Sequence, residues 1–166
     1  PIEDVTPRLP GGDGDDHSRY LEAVVTGGNG TLRIASIYAP NGNPIGTEKF
    51  TYKLSWLERL RRHAKSLLVN EDPVALIGDY NIIPEDRDCY DPKAWINDAL
   101  FQPQSKAALR TIENLGYTDA FRARNQAGGQ YTFWDYQAGA WRKNHGIRID
   151  HILSSPQALD RLKTRG

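Results

Sequence analysis

Asp79 and Asn81 carry the strongest chemical signature, a carboxylate and an amide two positions apart directly after the apolar run Pro73-Val74-Ala75-Leu76-Ile77-Gly78. Side chains two apart on an extended chain share a face, so both are expected to point into one cleft at the strand's C-terminal end. In phosphodiester hydrolysis such an Asp holds or deprotonates the attacking water. The Asn holds the scissile phosphate oxygens or a metal ion without adding a repelling charge. An Asx turn that merely caps the strand is the plain alternative for a bare D-x-N.

Three further strings bear on the same chemistry. Ile37-Tyr38-Ala39-Pro40-Asn41-Gly42 ends another apolar strand, and Tyr38 and Asn41 offer O–H and N–H₂ donors suited to a phosphate whose charge grows in the transition state. Taken alone it is a strand closed by a Pro-Asn-Gly turn. In Arg148-Ile149-Asp150-His151-Ile152-Leu153, Asp150 is expected inside an apolar strand, costly unless a cation, a metal or hydrogen-bond donors meet it. A salt bridge to Arg148 is the plain reading there. His151 faces the opposite way and reads as structural or surface. Finally, Tyr131-Thr132-Phe133-Trp134-Asp135-Tyr136 precedes Trp141-Arg142-Lys143-Asn144-His145-Gly146. Alternating aromatics are ordinarily core, but interleaved with a basic loop they suit gripping phosphates while an extruded sugar rests on an apolar wall.

The elements that must position these residues are legible from patterning. Residues 1–17 are rich in Pro, Gly and Asp and read as a loop. Arg19 to Val25 and Thr31 to Tyr38 form a β-hairpin around Gly27-Gly28-Asn29-Gly30. Thr47 caps a helix to about Leu68, with Phe50, Leu54, Leu57, Ala64 and Leu68 at helical spacing. Val74 to Gly78 is a central strand buried on both faces. A second helix runs from about Ser105 to Asn114 and is stopped by Gly116. Short strands follow near Tyr131–Trp134 and Ile147–Leu153, and Pro156 opens a last helical turn. The expected fold class is α/β (α+β): a layered sandwich of two mixed or antiparallel sheets flanked by helices.

Composition sets the remaining bounds. The 166 residues, 39% hydrophobic and 25% charged, suit one globular domain. No apolar run approaches the roughly 18 residues of a spanning helix, and no signal core is visible, so no membrane role and an intracellular setting are expected. Cys89 is the single cysteine and reads as a small filler. Lys plus Arg equals Asp plus Glu at 21 each, so affinity for nucleic acid has to be local. The cluster Arg59, Arg61, Arg62, His63 and Lys65 reads as a solvated helix face, leaving Arg142, Lys143, His145 and Arg148. The absence of any Met points to a fragment.

In this order and at these separations, Y-x-P-N-G, G-D-x-N-I-x-P, Y-T-F-W-D-Y and G-I-R-I-D-H-I-L resemble the exonuclease III branch of the endonuclease/exonuclease/phosphatase superfamily, from about Arg19 to Leu162. Asp91-Pro92-Lys93-Ala94-Trp95 is also similar to bacterial members. The resemblance implies a Mg²⁺-dependent nuclease, with Mn²⁺ able to substitute, acting on double-stranded DNA at abasic sites and blocked 3′ ends. It also implies a monomer in the cytoplasm, near the nucleoid. Tyr38, Asp79, Asn81 and Asp150 would be catalytic: Tyr38 on the scissile phosphate, Asp79 activating water or protonating the leaving 3′ oxygen, and Asn81 orienting the phosphate. Asp150 would hydrogen-bond the family's histidine. Asp79 and Asn81 would be partial metal ligands, and Asn41 would bind a nearby phosphate. Phe133, Ile147 and Ile149 would form the pocket for an abasic deoxyribose, with Trp134, Arg142, Lys143, Asn144 and Arg148 along the DNA.

The family's metal-binding Glu and the Asn before it are expected on strands preceding Pro1, and its Ser-Asp-His motif beyond Gly166. The chain is therefore read as a single partial domain holding about half of the site, incomplete at both ends. It is expected to bind Mg²⁺ poorly and turn over slowly by itself. Two alternatives stand beside this reading: another phosphodiesterase or phosphatase of the superfamily, and a non-catalytic DNA-binding module.

Overall fold

The computed structural model describes residues 1–28, 30–137 and 139–162. A six-stranded sheet in the order β1-β2-β3-β4-β8-β5 forms its centre. Its strands are β1 (Ile2–Thr6), β2 (Tyr20–Gly27), β3 (Gly30–Tyr38), β4 (Val74–Asp79), β5 (Thr118–Asp119) and β8 (Asp150–Ser154). The strands β6 (Phe133–Trp134) and β7 (Gly146–Ile147) pair separately. Helices α1 (Glu48–Leu67), α2 (Pro103–Glu113) and α3 (Pro156–Leu159) complete the layered α/β arrangement.

The expected hairpin is β2 and β3, antiparallel from Tyr20↔Ile37 to Gly27↔Gly30; Asn29 of its turn lies outside the described residues. β3 and β4 run parallel, as a strand–helix–strand crossover through α1 requires. Trp56, Leu57, Leu60 and Ala64 of α1 and Leu109 and Ile112 of α2 pack with Ala35, Ile37, Leu76 and Leu153 of the sheet. That is the apolar stripe at three- and four-residue spacing, each large side chain contributing about 1.5–3 kcal/mol on burial. Thr47 precedes α1, but its hydroxyl donates to Pro44 O at 2.7 Å rather than capping the helix through its side chain.

Four expectations are corrected. The first 17 residues are not all loop, since Ile2–Thr6 forms β1 on the outer edge of β2. That strand is largely exposed and held by its backbone ladder, with an Arg33–Asp4 ion pair at 2.6 Å beside it. No buried periodicity marks it in the sequence. The span Ile147–Leu153 is two strands rather than one, because Arg148 and Ile149 leave the ladder and their backbones bond outside it, Arg148 N to Asp88 O and Ile149 O to Tyr80 N. The basic face of α1 is only partly solvated: Arg59 pairs with Asp15 at 2.7 Å, and His63 Nε2 meets buried Glu22 at 2.6 Å.

Arg148 is the fourth correction. It is buried, with Nε 2.7 Å from Asp88 Oδ1 and Nη1 2.7 Å from Asp119 Oδ2, and Arg122 also donates to Asp88. A guanidinium offers five donors in a fixed fork, and here the fork ties two carboxylates from distant segments, so Arg148 does not face DNA or pair with Asp150. Arg148 Nη1 also lies 3.0 Å from His151 Nδ1, and His151 Nε2 lies 2.9 Å from Ile82 O. These partners require a neutral His151 donating from Nε2 and accepting at Nδ1. His151 is accordingly a structural residue.

Burial, followed by the Arg148 charge, lowers the His151 pKa to about 4. The unfolded chain takes up that proton near pH 6.5 and the folded protein resists it. Stability is therefore full above pH 6.5 and is lost as pH falls toward 4, with a slope approaching about 1.4 kcal/mol per pH unit. Glu22 extends the trend. Burial raises its pKa, but hydrogen bonds from His63, Tyr20 and Arg33 outweigh that and hold it at about 2. Its contribution is present above the ordinary glutamate range and is lost as pH falls through 2. Thermal melts from pH 8 to pH 3 are expected to show Tm declining from about pH 6.5, and a Tm flat to pH 4 would contradict the neutral buried histidine.

Candidate active site

The parallel register of β3 on β4 sets Tyr38 beside Asp79, and the antiparallel register of β4 on β8 sets Asp79 beside Asp150. With adjacent strands about 4.8 Å apart, three side chains from positions 38, 79 and 150 line up at one rim of the sheet. Gly78 makes the approach possible. Its φ is +145°, and a Cβ there would come 2.0 Å from Ile37 O on the neighbouring strand.

Beyond the rim, Asn81 turns the chain at φ 50°. Its N–H donates to Asp79 Oδ1 at 2.7 Å, its Nδ2 donates to Ala39 O at 2.8 Å, and Asn41 Nδ2 lies 3.4 Å from its Oδ1. The D-x-N string is thus an Asx turn, and that turn locks the Tyr38–Asn41 segment against Asp79. Tyr38 is 55% exposed. Arg19, which the sequence did not single out, donates to Tyr38 O at 3.4 Å and sits 5.3 Å from the centre of its ring.

Asp150 is exposed rather than buried within its strand, since it begins β8 instead of lying inside a longer one. Thr132 Oγ1 accepts from Ile149 N at 3.1 Å and Asp150 N at 3.2 Å. This bridge from the aromatic segment is also invisible in the sequence pattern. Burial raises the Asp79 pKa to about 6, with the Asn81 N–H lowering it, the Asp150 charge raising it and Lys53 lowering it.

Like charges directly opposite on a ladder repel, and neither Asp79 nor Asp150 has a salt-bridge partner among the described residues. Two facing carboxylates fit a hard cation that keeps several waters, as Mg²⁺ does when held through one or two carboxylates. The set is short, however. Among the described residues no cluster of three or more His, Cys, Asp or Glu could hold a metal. Of the two ligands expected from sequence, Asp79 keeps Oδ2 for an ion, whereas Asn81 Oδ1, the atom that would ligate one, faces Asn41 Nδ2 at 3.4 Å.

The aromatic and basic segment forms a second wall. Phe133 and Ile147 face each other across β6 and β7 and line a cavity of about 280 Å³ with Tyr90, Trp95, Lys143 and His145. Tyr90 and His145 stack at 4.4 Å, a pair the sequence reading missed. Ile149 does not line this cavity. It packs behind it with Ile83, Cys89, Leu100 and Ile147, and burial there raises the Cys89 thiol to about 11. Trp134 Nε1 donates to Asn144 Oδ1 at 3.2 Å and Trp134 meets Trp141 edge to face. Arg142, Lys143 and Asn144 are exposed on the adjoining loop.

Residues 1–165 match the Endonuclease/Exonuclease/phosphatase family. The chain is 32% identical over 131 residues to an exodeoxyribonuclease of Bacillus subtilis (strain 168), covering 78% of this chain and 51% of that protein. It superposes with a TM-score of 0.91 and 32% identity on a 3′ phosphatase from Neisseria bound to a product DNA hairpin, covering 98% of this chain and 62% of that one. An AP endonuclease from Archaeoglobus fulgidus gives a TM-score of 0.88 at 31% identity, covering 96% and 61%. The chain spans about half the length of the Bacillus relative.

Proposed function

The chain belongs to the endonuclease/exonuclease/phosphatase family, and from that premise we propose that the protein is a Mg²⁺-dependent DNA repair nuclease hydrolysing phosphodiesters at abasic sites and 3′ ends. The row of Tyr38, Asp79 and Asp150 on three adjacent strands, with Asn41 and Asn81 locked beside it, carries this reading. Removal of a 3′ phosphate is a related outcome of the same chemistry, the activity named for the Neisseria relative.

Tyr38 and Asn41 donate to the phosphate oxygens as their charge grows. Asn81 Nδ2 carries two protons; one goes to Ala39 O and the other is available to the same phosphate. Asp79, with a pKa near neutrality, takes a proton from the attacking water or returns one to the leaving 3′ oxygen. Asp79 and Asp150 would hold Mg²⁺, which when bound neutralises charge developing on the phosphoryl group. Phe133 and Ile147 accept the deoxyribose that lacks its base, and the loop Arg142–Asn144 with Trp134 follows the flanking strand.

The full-length protein, acting as a monomer, is expected to cut a duplex bearing one abasic site in Mg²⁺ and not in EDTA, leaving inositol phosphates and phospholipids intact. The 166-residue chain is expected to cut slowly or not at all. Failure of the full-length protein to cleave DNA with Mg²⁺ would end this reading.

A further inference from the structure

Lys53 lies on α1, is 0% exposed, and has no carboxylate within salt-bridge distance among the described residues. Its ammonium donates to two backbone carbonyls, Asn41 O at 3.0 Å and Asn81 O. Those carbonyls belong to the two turns that carry the candidate active-site groups. We propose that Lys53 is a positioning residue: its buried ammonium, clamped between Asn41 O and Asn81 O, sets the spacing of the Tyr38–Asn41 turn relative to Asp79–Asn81.

Three observations support the assignment. A buried ammonium is expensive, and an apolar side chain of the same length would fill the space beneath the sheet without that penalty, so packing alone does not call for lysine. The two carbonyl oxygens carry like partial charges, and the N–H donors of Lys53 Nζ placed between them hold two turns from different strands together with those oxygens facing. The fit is also close, since Gly42 passes over the lysine stem at φ +87° and an added Cβ would stand 2.6 Å from Lys53 Cδ. Asn81 is therefore held on both sides, its carbonyl by Lys53 and its N–H by Asp79 Oδ1. Displacing the first changes where the second points the Asp79 carboxylate.

The inference rests on the nuclease reading for its kinetic consequence but not for its structural one, and two measurements separate them. In the full-length protein, Lys53→Met is expected to lower kcat on an abasic duplex about 30–100-fold, the scale of an ångström-level misplacement, with KM within about threefold. Lys53→Arg, which keeps the charge and the donors, is expected to recover most of the loss. Independently of activity, the Asn43 and Asn81 amides, bonded to Asn41 Oδ1 and Asp79 Oδ1, are expected to exchange hydrogen about tenfold faster in Lys53→Met, with the β2–β3 ladder unchanged.

Wild-type exchange at those two amides together with wild-type kcat would overturn the proposal. So would a uniform rise in exchange across the β2–β3 ladder that arginine does not reverse, which would make Lys53 a stability residue only. Locally faster exchange in a protein that cuts no DNA even as wild type would uphold the clamp and dispose of the nuclease reading. Should Lys53→Met not fold, Lys53→Gln, neutral and shorter, reads the same pair of amides.

Discussion

Replacing Asp79 by Asn is expected to lower turnover on abasic DNA by about 10²–10⁴-fold, the range for loss of a positioned proton-transfer group. Affinity for the same duplex, read by fluorescence anisotropy in EDTA, should stay within a few-fold. The substitution isolates chemistry from geometry. An amide oxygen at the position of Asp79 Oδ1 still accepts the Asn81 N–H at 2.7 Å, so the turn that holds Tyr38 and Asn41 persists. What disappears is a group able to exchange a proton near neutrality and one of two facing negative charges. Unchanged turnover with intact binding would instead favour a DNA-binding module that merely retains the fold.

The second large effect concerns stability. Arg148→Ala is expected to destabilise the protein by about 3–5 kcal/mol, because Asp88 loses one of its two guanidinium partners and Asp119 its ion pair, both in a desolvated setting. His151 loses the donor to its Nδ1 at the same time. Urea unfolding measures the change. A DNA-facing Arg148, as its neighbours in the sequence suggest, would instead leave stability unchanged and weaken binding in a salt-dependent way. Burial of both Arg148 and Asp88 decides for the structural role.

Much of the frame was legible because local rules govern it. The β2–β3 hairpin, α1 and the apolar strand ending at Asp79 each rest on short-range periodicity and turn chemistry, and each lies within a residue or two of its expected bounds, although the strand is fully buried only over Val74–Leu76 rather than on both faces throughout. β1 was not legible, because an exposed edge strand buries no apolar face and leaves no periodic trace. The interruption between β7 and β8 was hidden for a different reason. Gly-Ile-Arg-Ile-Asp-His-Ile-Leu reads as one apolar strand, and what divides it is an ion network with Asp88 and Asp119, far away in the chain.

For the candidate site the division is similar. Residue type and spacing offered Tyr38, Asn41, Asp79, Asn81 and Asp150 as candidates, each string with an ordinary turn or salt-bridge reading beside it, and only the order and separation of all four strings pointed to phosphate chemistry. Register decided which of them stand side by side. Only folding could decide that Asp150 is solvent-facing, that Arg148 and Ile149 turn inward, and that Lys53 lies between two carbonyls. A side chain's charge is written in its type, but the dielectric around it and the partners that meet it are set by segments brought together from across the chain.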